Sequence, residues 1–228
     1  MRFRKGASVR VKAGVTCPDA PDLDISGWQG RVADARFAYD KTDPVVGIAW
    51  DSITLQAMPV WFIEQSEAKG LDFASMYLSP DEIEPASPRD TESDVERVRE
   101  KLEALFSWSW LGAQGKRIGQ VVARAKSTDE MSVLRAWEMH LSRELRFPFK
   151  AEVDEYQESG PLRAGDLLTV LGIEMVHDLY GIIVACRQGR VPCDVPLADL
   201  EVVDKNSPNY QLVDDYRVWF ANRWEWPM

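Results

Sequence analysis

Leu167-Leu168-Thr169-Val170-Leu171-Gly172-Ile173, Tyr180-Gly181-Ile182-Ile183-Val184-Ala185-Cys186 and Val191-Pro192-Cys193-Asp194-Val195 are the runs on which the fold turns. Each is short, apolar and rich in Val and Ile, and each is bounded by turn-forming residues such as Arg187-Gln188-Gly189-Arg190, so all three read as strands. Working outward, Lys150 to Gln157 reads as a preceding strand and Gly160-Pro161 as a turn. Glu201 to Val203 reads as a last short strand after the single-turn element Pro196-Leu197-Ala198-Asp199-Leu200. Five short strands with tight turns suit a small barrel. A helix follows over Asn209 to Arg223, with Leu212, Tyr216, Trp219 and Phe220 on one face.

Upstream of these strands the period changes to that of a helix. Met131, Leu134, Trp137, Leu141 and Leu145 recur at helical spacing behind Ser127-Thr128-Asp129-Glu130, and Phe147-Pro148-Phe149 ends that helix. Ile118, Val121 and Val122 mark an earlier helix over Lys116 to Lys126. Val95, Val98, Leu102, Leu105 and Phe106 mark a third, opened by Thr91-Glu92-Ser93-Asp94 as a capping box with Asp in place of Glu. Before them, Glu84-Pro85-Ala86-Ser87-Pro88 reads as a linker, since two prolines disfavour both helix and ladder.

The N-terminal part returns to strands. Ser8 to Ala13 alternates polar and apolar, Val45 to Trp50 is a second strand, Val60 to Lys69 a short helix and Met76 to Leu78 a last strand. Two glycines around Trp28, in Gly27-Trp28-Gln29-Gly30, permit a tight bend or a close strand crossing. The expected class is therefore α+β: two small SH3-like β-barrels joined by a helical segment, with a C-terminal helix. The expected domains are 1–88, 89–128 and 129–228.

Charge narrows the functions. The chain has 228 residues, 27 Lys+Arg and 37 Asp+Glu, for a net charge of −10. Such a balance disfavours a nucleic-acid backbone as the main partner, although Arg2, Arg4, Lys5, Arg10 and Lys12 make a basic start. Resolved by segment, residues 1–88 carry −4, 89–135 carry +1 and 136–228 carry −7. No apolar run is long enough for a membrane span and no signal core follows Met1, so a cytoplasmic location is expected. Cys17, Cys186 and Cys193 are odd in number and lack the paired spacing of a zinc site or disulfide framework.

The same inventory gives an enzyme little to work with. His140 and His177 are the only histidines, no Gly-rich phosphate loop opens a helix, and no nucleophile stands out beside a base. Hard oxygen ligands remain, of the kind Ca²⁺ takes in irregular sets of six to eight. Asp22-Leu23-Asp24-Ile25-Ser26-Gly27 copies the opening of an EF-hand loop, but Ala33 stands where its bidentate Glu belongs, and an acidic turn is the expected reading. In the last segment Asp154, Glu155, Glu174, Asp178, Asp199, Glu201 and Asp204 fall in expected turns and strand ends. Carboxylates so placed can converge at one rim of a small barrel, where a cation relieves their repulsion. They are the candidate metal ligands; a solvated acidic surface is the alternative. Trp28, Trp50 and Trp61, or Trp219, Trp224 and Trp226, could instead line a peptide groove, and core packing is the other use of such residues.

Ala136-Trp137-Glu138-Met139-His140-Leu141, running into Leu145-Arg146-Phe147-Pro148-Phe149-Lys150-Ala151, resembles the opening of the cyanobacterial CcbP-type calcium-binding protein family. The likeness continues through Gly165-Asp166, Val170-Leu171-Gly172 and Val195-Pro196-Leu197-Ala198-Asp199-Leu200-Glu201 to Asp215-Tyr216-Arg217-Val218-Trp219. It implies an SH3-like barrel with flanking helices that binds Ca²⁺ through surface carboxylates without catalysis. Bound Ca²⁺ is thus the expected cofactor and the calcium ion the expected partner. The alternative is a metal-free adaptor that presents an SH3-like groove of the N-terminal barrel to a protein partner.

Overall fold

The computed structural model describes residues 3–37, 44–154 and 162–223. Its packing divides into two compact units, Met1–Trp110 and Leu111–Met228.

In the first unit, β1 (Ser8–Val11) is followed by a two-stranded ribbon of β2 (Thr16–Cys17) and β3 (Ala20–Asp24), then β4 (Gln29–Phe37) and β5 (Pro44–Trp50). Helices α1 (Ser52–Ala57) and α2 (Val60–Ala68) precede β6 (Ser75–Leu78) and β7 (Ile83–Pro85), and α3 (Glu92–Phe106) completes the unit's helices. The five-stranded sheet has the antiparallel order β6-β5-β4-β1-β7. Val9, Val11, Ile25, Ile48, Trp50, Leu55, Ile63, Leu78 and Ile83 are its buried centre.

Local sequence explains several of these elements. At Gly30, where β4 crosses β5, a Cβ would lie 2.2 Å from the Ala49 carbonyl oxygen, so only glycine allows that approach. Asp51 caps α1, accepting from Thr54 N at 2.8 Å. The capping box of α3 is complete: Thr91 Oγ1 accepts from Asp94 N at 3.2 Å while Asp94 Oδ2 accepts from Thr91 N at 3.1 Å. The EF-hand-like stretch lies in the β3 ribbon and its turn, where Asp24 Oδ1 accepts from Ser26 N at 2.8 Å. It is an acidic turn flanked by strand, as expected.

One expectation fails here. Glu84 and Pro85 belong to β7 rather than to a linker, pairing with Arg10 and Val9 of β1. Pro85 can do so because β7 is an edge strand, where a missing N–H costs no ladder bond. The chain beyond it is also held down. Asp51 receives Arg89 Nε at 2.7 Å and Nη2 at 2.9 Å, and Asp90 receives Ser52 N and an Arg31 Nη2 proton, both at 2.6 Å.

The second unit opens with α4 (Ala113–Val122) and α5 (Glu130–Glu144), followed by β8 (Phe149–Val153), β9 (Leu167–His177), β10 (Gly181–Gln188) and β11 (Val191–Pro196). A 3-10 turn, Leu197–Asp199, leads to β12 (Leu200–Val202), and α6 (Pro208–Asn222) closes the unit. Its sheet order is β11-β10-β9-β8-β12, again antiparallel. Leu168, Val170, Ile182, Val184, Leu197 and Leu200 are buried in this unit, as are Leu134, Trp137 and Leu141 of α5 and Tyr216 and Trp219 of α6. Tyr216 also accepts the Ile182 N–H at 2.8 Å through its hydroxyl oxygen.

Both sheets share one plan: a four-stranded meander whose fifth strand pairs back onto the first. The second cannot be flat. Laid out flat, the edges of a five-stranded sheet stand about 19 Å apart, whereas Pro196 and Leu200 are four residue steps apart along the chain and span at most about 14 Å even when extended. The sheet must curl. No ladder joins the two edge strands in either sheet among the described residues, so the observed architecture is α+β with two open five-stranded sheets and a C-terminal helix, not two closed barrels.

Candidate functional site

Cross-strand pairing in the second unit decides which carboxylates meet. β8 and β12 run antiparallel with Val153 opposite Leu200, Glu152 opposite Glu201 and Ala151 opposite Val202. Asp154 N donates to the Asp199 carbonyl at 2.8 Å and carries the pairing one residue further. Side chains alternate along a strand. With Val153, Leu200 and Val202 buried, Glu152, Asp154 and Glu201 are left on the solvent side. Asp199 ends the 3-10 turn directly before β12. Four acidic residues thus share the β8–β12 edge.

Two cations border that edge. Arg217 of α6 forms an ion pair with Asp154 through Nη2 and donates from Nε to the Ala198 carbonyl at 3.1 Å. Lys205 Nζ lies 3.7 Å from Glu201 Oε1. No cation is paired with Glu152 among the described contacts, and like charges directly opposite on a sheet destabilise it. A divalent cation would relieve the Glu152–Glu201 repulsion with hard oxygens, the donor type that Ca²⁺ prefers.

Other sequence candidates lie elsewhere. Glu174 is on β9 and Asp178 is in the β9–β10 turn, about 23 Å and about 36 Å of strand path from Leu167, the residue paired with Glu152. There Asp178 Oδ1 accepts from Leu179 N at 2.9 Å and lies 3.0 Å from His177 Nδ1. Asp204 follows β12 and caps its own turn, accepting from Asn206 N at 3.0 Å. Glu155 falls outside the described residues. The structure therefore places Asp154, Asp199 and Glu201 along the β8–β12 edge, Asp204 just beyond the end of β12, and Glu174 and Asp178 toward the far end of β9. Among the described residues, no three acidic, imidazole or thiol groups are close enough to hold a metal ion as they stand.

Glu152 is the residue that sequence reasoning missed. It sits inside a strand, where turn positions give no signal; only the register with β12 puts it opposite Glu201. The thiols offer no substitute. Burial pushes the Cys186 thiol up to about 12 and also raises its cross-strand partner Cys193, so both stay protonated at neutral pH.

The tryptophans divide between uses. Trp50 is buried in the first core, Trp28 stands edge-on to it with ring centroids 5.3 Å apart, and Trp61 is half exposed beside Phe62. They do not line one common groove, because Trp50 is a core residue. Trp219 is likewise buried, while Trp224 and Trp226 lie outside the described residues. No helix among the described residues is long and apolar enough to cross a membrane.

The second unit is thus a helix-flanked, curled antiparallel sheet with an acidic edge. Residues 117–220 match the model of the CcbP-type family, described as calcium binding. That match falls on the same part of the chain whose sequence resembles the family. Among solved structures, Anabaena CcbP is 20% identical, with 42% of this chain and 80% of that chain covered at a TM-score of 0.36. A second, a calcium-binding protein in its calcium-binding form, is 20% identical over 42% of this chain and 79% of that chain, at a TM-score of 0.35. No curated protein matches.

Proposed function

We propose that the protein binds Ca²⁺ non-enzymatically through carboxylates of its C-terminal part, as a cytoplasmic buffer or sensor. The family match over residues 117–220 is the observation that carries this reading. The β8–β12 edge supports it by supplying hard oxygens from Glu152, Asp154, Asp199 and Glu201, with Glu155 next in sequence. Bound Ca²⁺ would neutralise the facing Glu152 and Glu201. Arg217 would have to share Asp154 with the ion, so the protein would bind calcium by exchanging an ion pair for coordination. In this reading 129–228 is an SH3-like calcium-binding domain, 1–88 a second SH3-like domain and 89–128 the helical region joining them. The common strand order of the two sheets supports that plan.

Calorimetric titration of the full chain, stripped with chelator, is the test. Saturable Ca²⁺ binding is expected, with a gain in unfolding free energy of about 2.7 kcal/mol at a hundredfold excess over Kd. Glu152→Gln and Glu201→Gln should weaken it. No heat and no thermal shift at millimolar Ca²⁺ would exclude the reading.

The half-exposed Trp61 favours a second reading, in which the N-terminal part docks a protein partner without metal. Trp61→Ala would then abolish capture of that partner, and chelator would leave capture unchanged.

A further inference from the structure

Two thiols face each other across the β10–β11 hairpin. Cys186 and Cys193 are direct partners in its antiparallel ladder, and both are free. Directly opposite residues have Cα atoms about 4.5–5.5 Å apart and project to one side of the sheet. A disulfide spans Cα separations of about 4.4–6.8 Å, so bridging this pair asks only that its Cβ atoms close by about 1 Å.

Their surroundings give the two thiols different roles. Cys186 is 2% exposed, on the buried side with Val184 and Val195, whereas Cys193 lies on the edge strand β11 and is partly open to solvent. Between the closing pair Gln188 and Val191 stand only Gly189 and Arg190, with Gly189 at φ +61°, so a tight turn keeps the two strands in place. Cys17, the remaining cysteine, belongs to the first unit and has no second thiol there.

We infer that Cys186 and Cys193 are a reversible modification site, which closes to an intrachain disulfide by exchange with a small oxidised disulfide of the glutathione type. Cys193 is the entry point, because it is the thiol a reagent can reach. Its thiolate attacks one sulfur of the reagent. A mixed disulfide forms, the reagent's S–S bond breaks, and one glutathione leaves as a thiolate that takes up a proton. The Cys186 thiolate then attacks the Cys193 sulfur, the Cys186–Cys193 bond forms, and the second glutathione leaves and is protonated in turn. The protein gives up two electrons and two protons, and the reagent takes them up as two thiols. The second step needs no access from solvent, since the register already sets Cys186 opposite its target. Burial raises both thiols, and the charge of Cys193 raises Cys186 further. Exchange is therefore slow at neutral pH and quickens as pH rises, because the thiolate is the attacking species. The bond would staple the edge strand β11, which leads through the Leu197–Asp199 turn into β12.

The test treats the full, reduced chain with oxidised glutathione at pH 8, under inert gas and with a chelator present, so that neither air nor metal oxidises it. Acid quenching and alkylation in denaturant then count the thiols. A fall from three free thiols to one is expected, with the loss of two hydrogens by mass spectrometry and a peptide that links Cys186 to Cys193. Dithiothreitol should restore all three thiols, and the reaction should run about tenfold slower at pH 7. Cys186→Ser should stop at a glutathione adduct on Cys193. Three thiols that persist, a wild-type adduct on Cys193 that never closes, or a bond that uses Cys17 or a second chain would overturn the site.

Discussion

Asp90 shows how much one side chain can hold. It accepts the Ser52 N–H and pairs with Arg31, and burial alone would raise its pKa. The Ser52 hydrogen bonds and the Arg31 charge outweigh that burial and hold it below the usual carboxylate value. A carboxylate depressed on folding contributes stability above its unfolded pKa of about 3.9, and loses it as pH falls through the folded value. Asp90→Asn should therefore cost about 2 kcal/mol at pH 7, the scale of a charged hydrogen bond. The gap from the wild type should close as pH falls below about 4. Urea unfolding at pH 7 and pH 3 checks this; a constant gap would remove the ionised Asp90 from the explanation. Nothing in the sequence singles out Asp90, since its partners lie 38 and 59 positions away.

At the scale of elements, legibility followed the range of the interaction. Thr91 and Asp94 are three residues apart, and the stripe Leu134, Trp137, Leu141 spans two turns, so both were readable before the structure. β7 was not, because its Ile83–Pro85 ladder depends on β1, more than 70 residues upstream. The acidic edge fell between these cases. Asp154, Asp199 and Glu201 were named from their turns, whereas Glu152 needed the β8–β12 register. The β9–β10 turn shows a similarly hidden constraint. Gly181 has φ +70°, and a Cβ there would lie 2.3 Å from the Tyr216 hydroxyl and 2.4 Å from the Phe220 ring. Gly181→Ala should cost at least about 3 kcal/mol, combining left-handed strain with displacement of α6. Chemical denaturation measures it, and a cost below about 1 kcal/mol would mean that α6 yields freely.

At the scale of the whole molecule, two sheets of one strand order occur in a single chain, each with its own buried centre. That order has a kinetic meaning. The β9–β10 and β10–β11 hairpins join neighbours in sequence, while β12 reaches back about 50 residues to β8, and β7 about 75 to β1. Closure of long loops is an entropic cost met before its contacts reward it. The meander should therefore form first and the fifth strand dock last. Val184→Ala in β10 should slow refolding, whereas Leu200→Ala in β12 should mainly speed unfolding. Stopped-flow chevrons of the two variants distinguish the order, and a refolding rate lowered equally by both would reverse it. Because β12 also carries Glu201, the last strand to arrive is the one that completes the acidic edge. If calcium binds at that edge as proposed, a chain still folding would have the hairpins without the site, and calcium would act on unfolding rates more than on refolding rates.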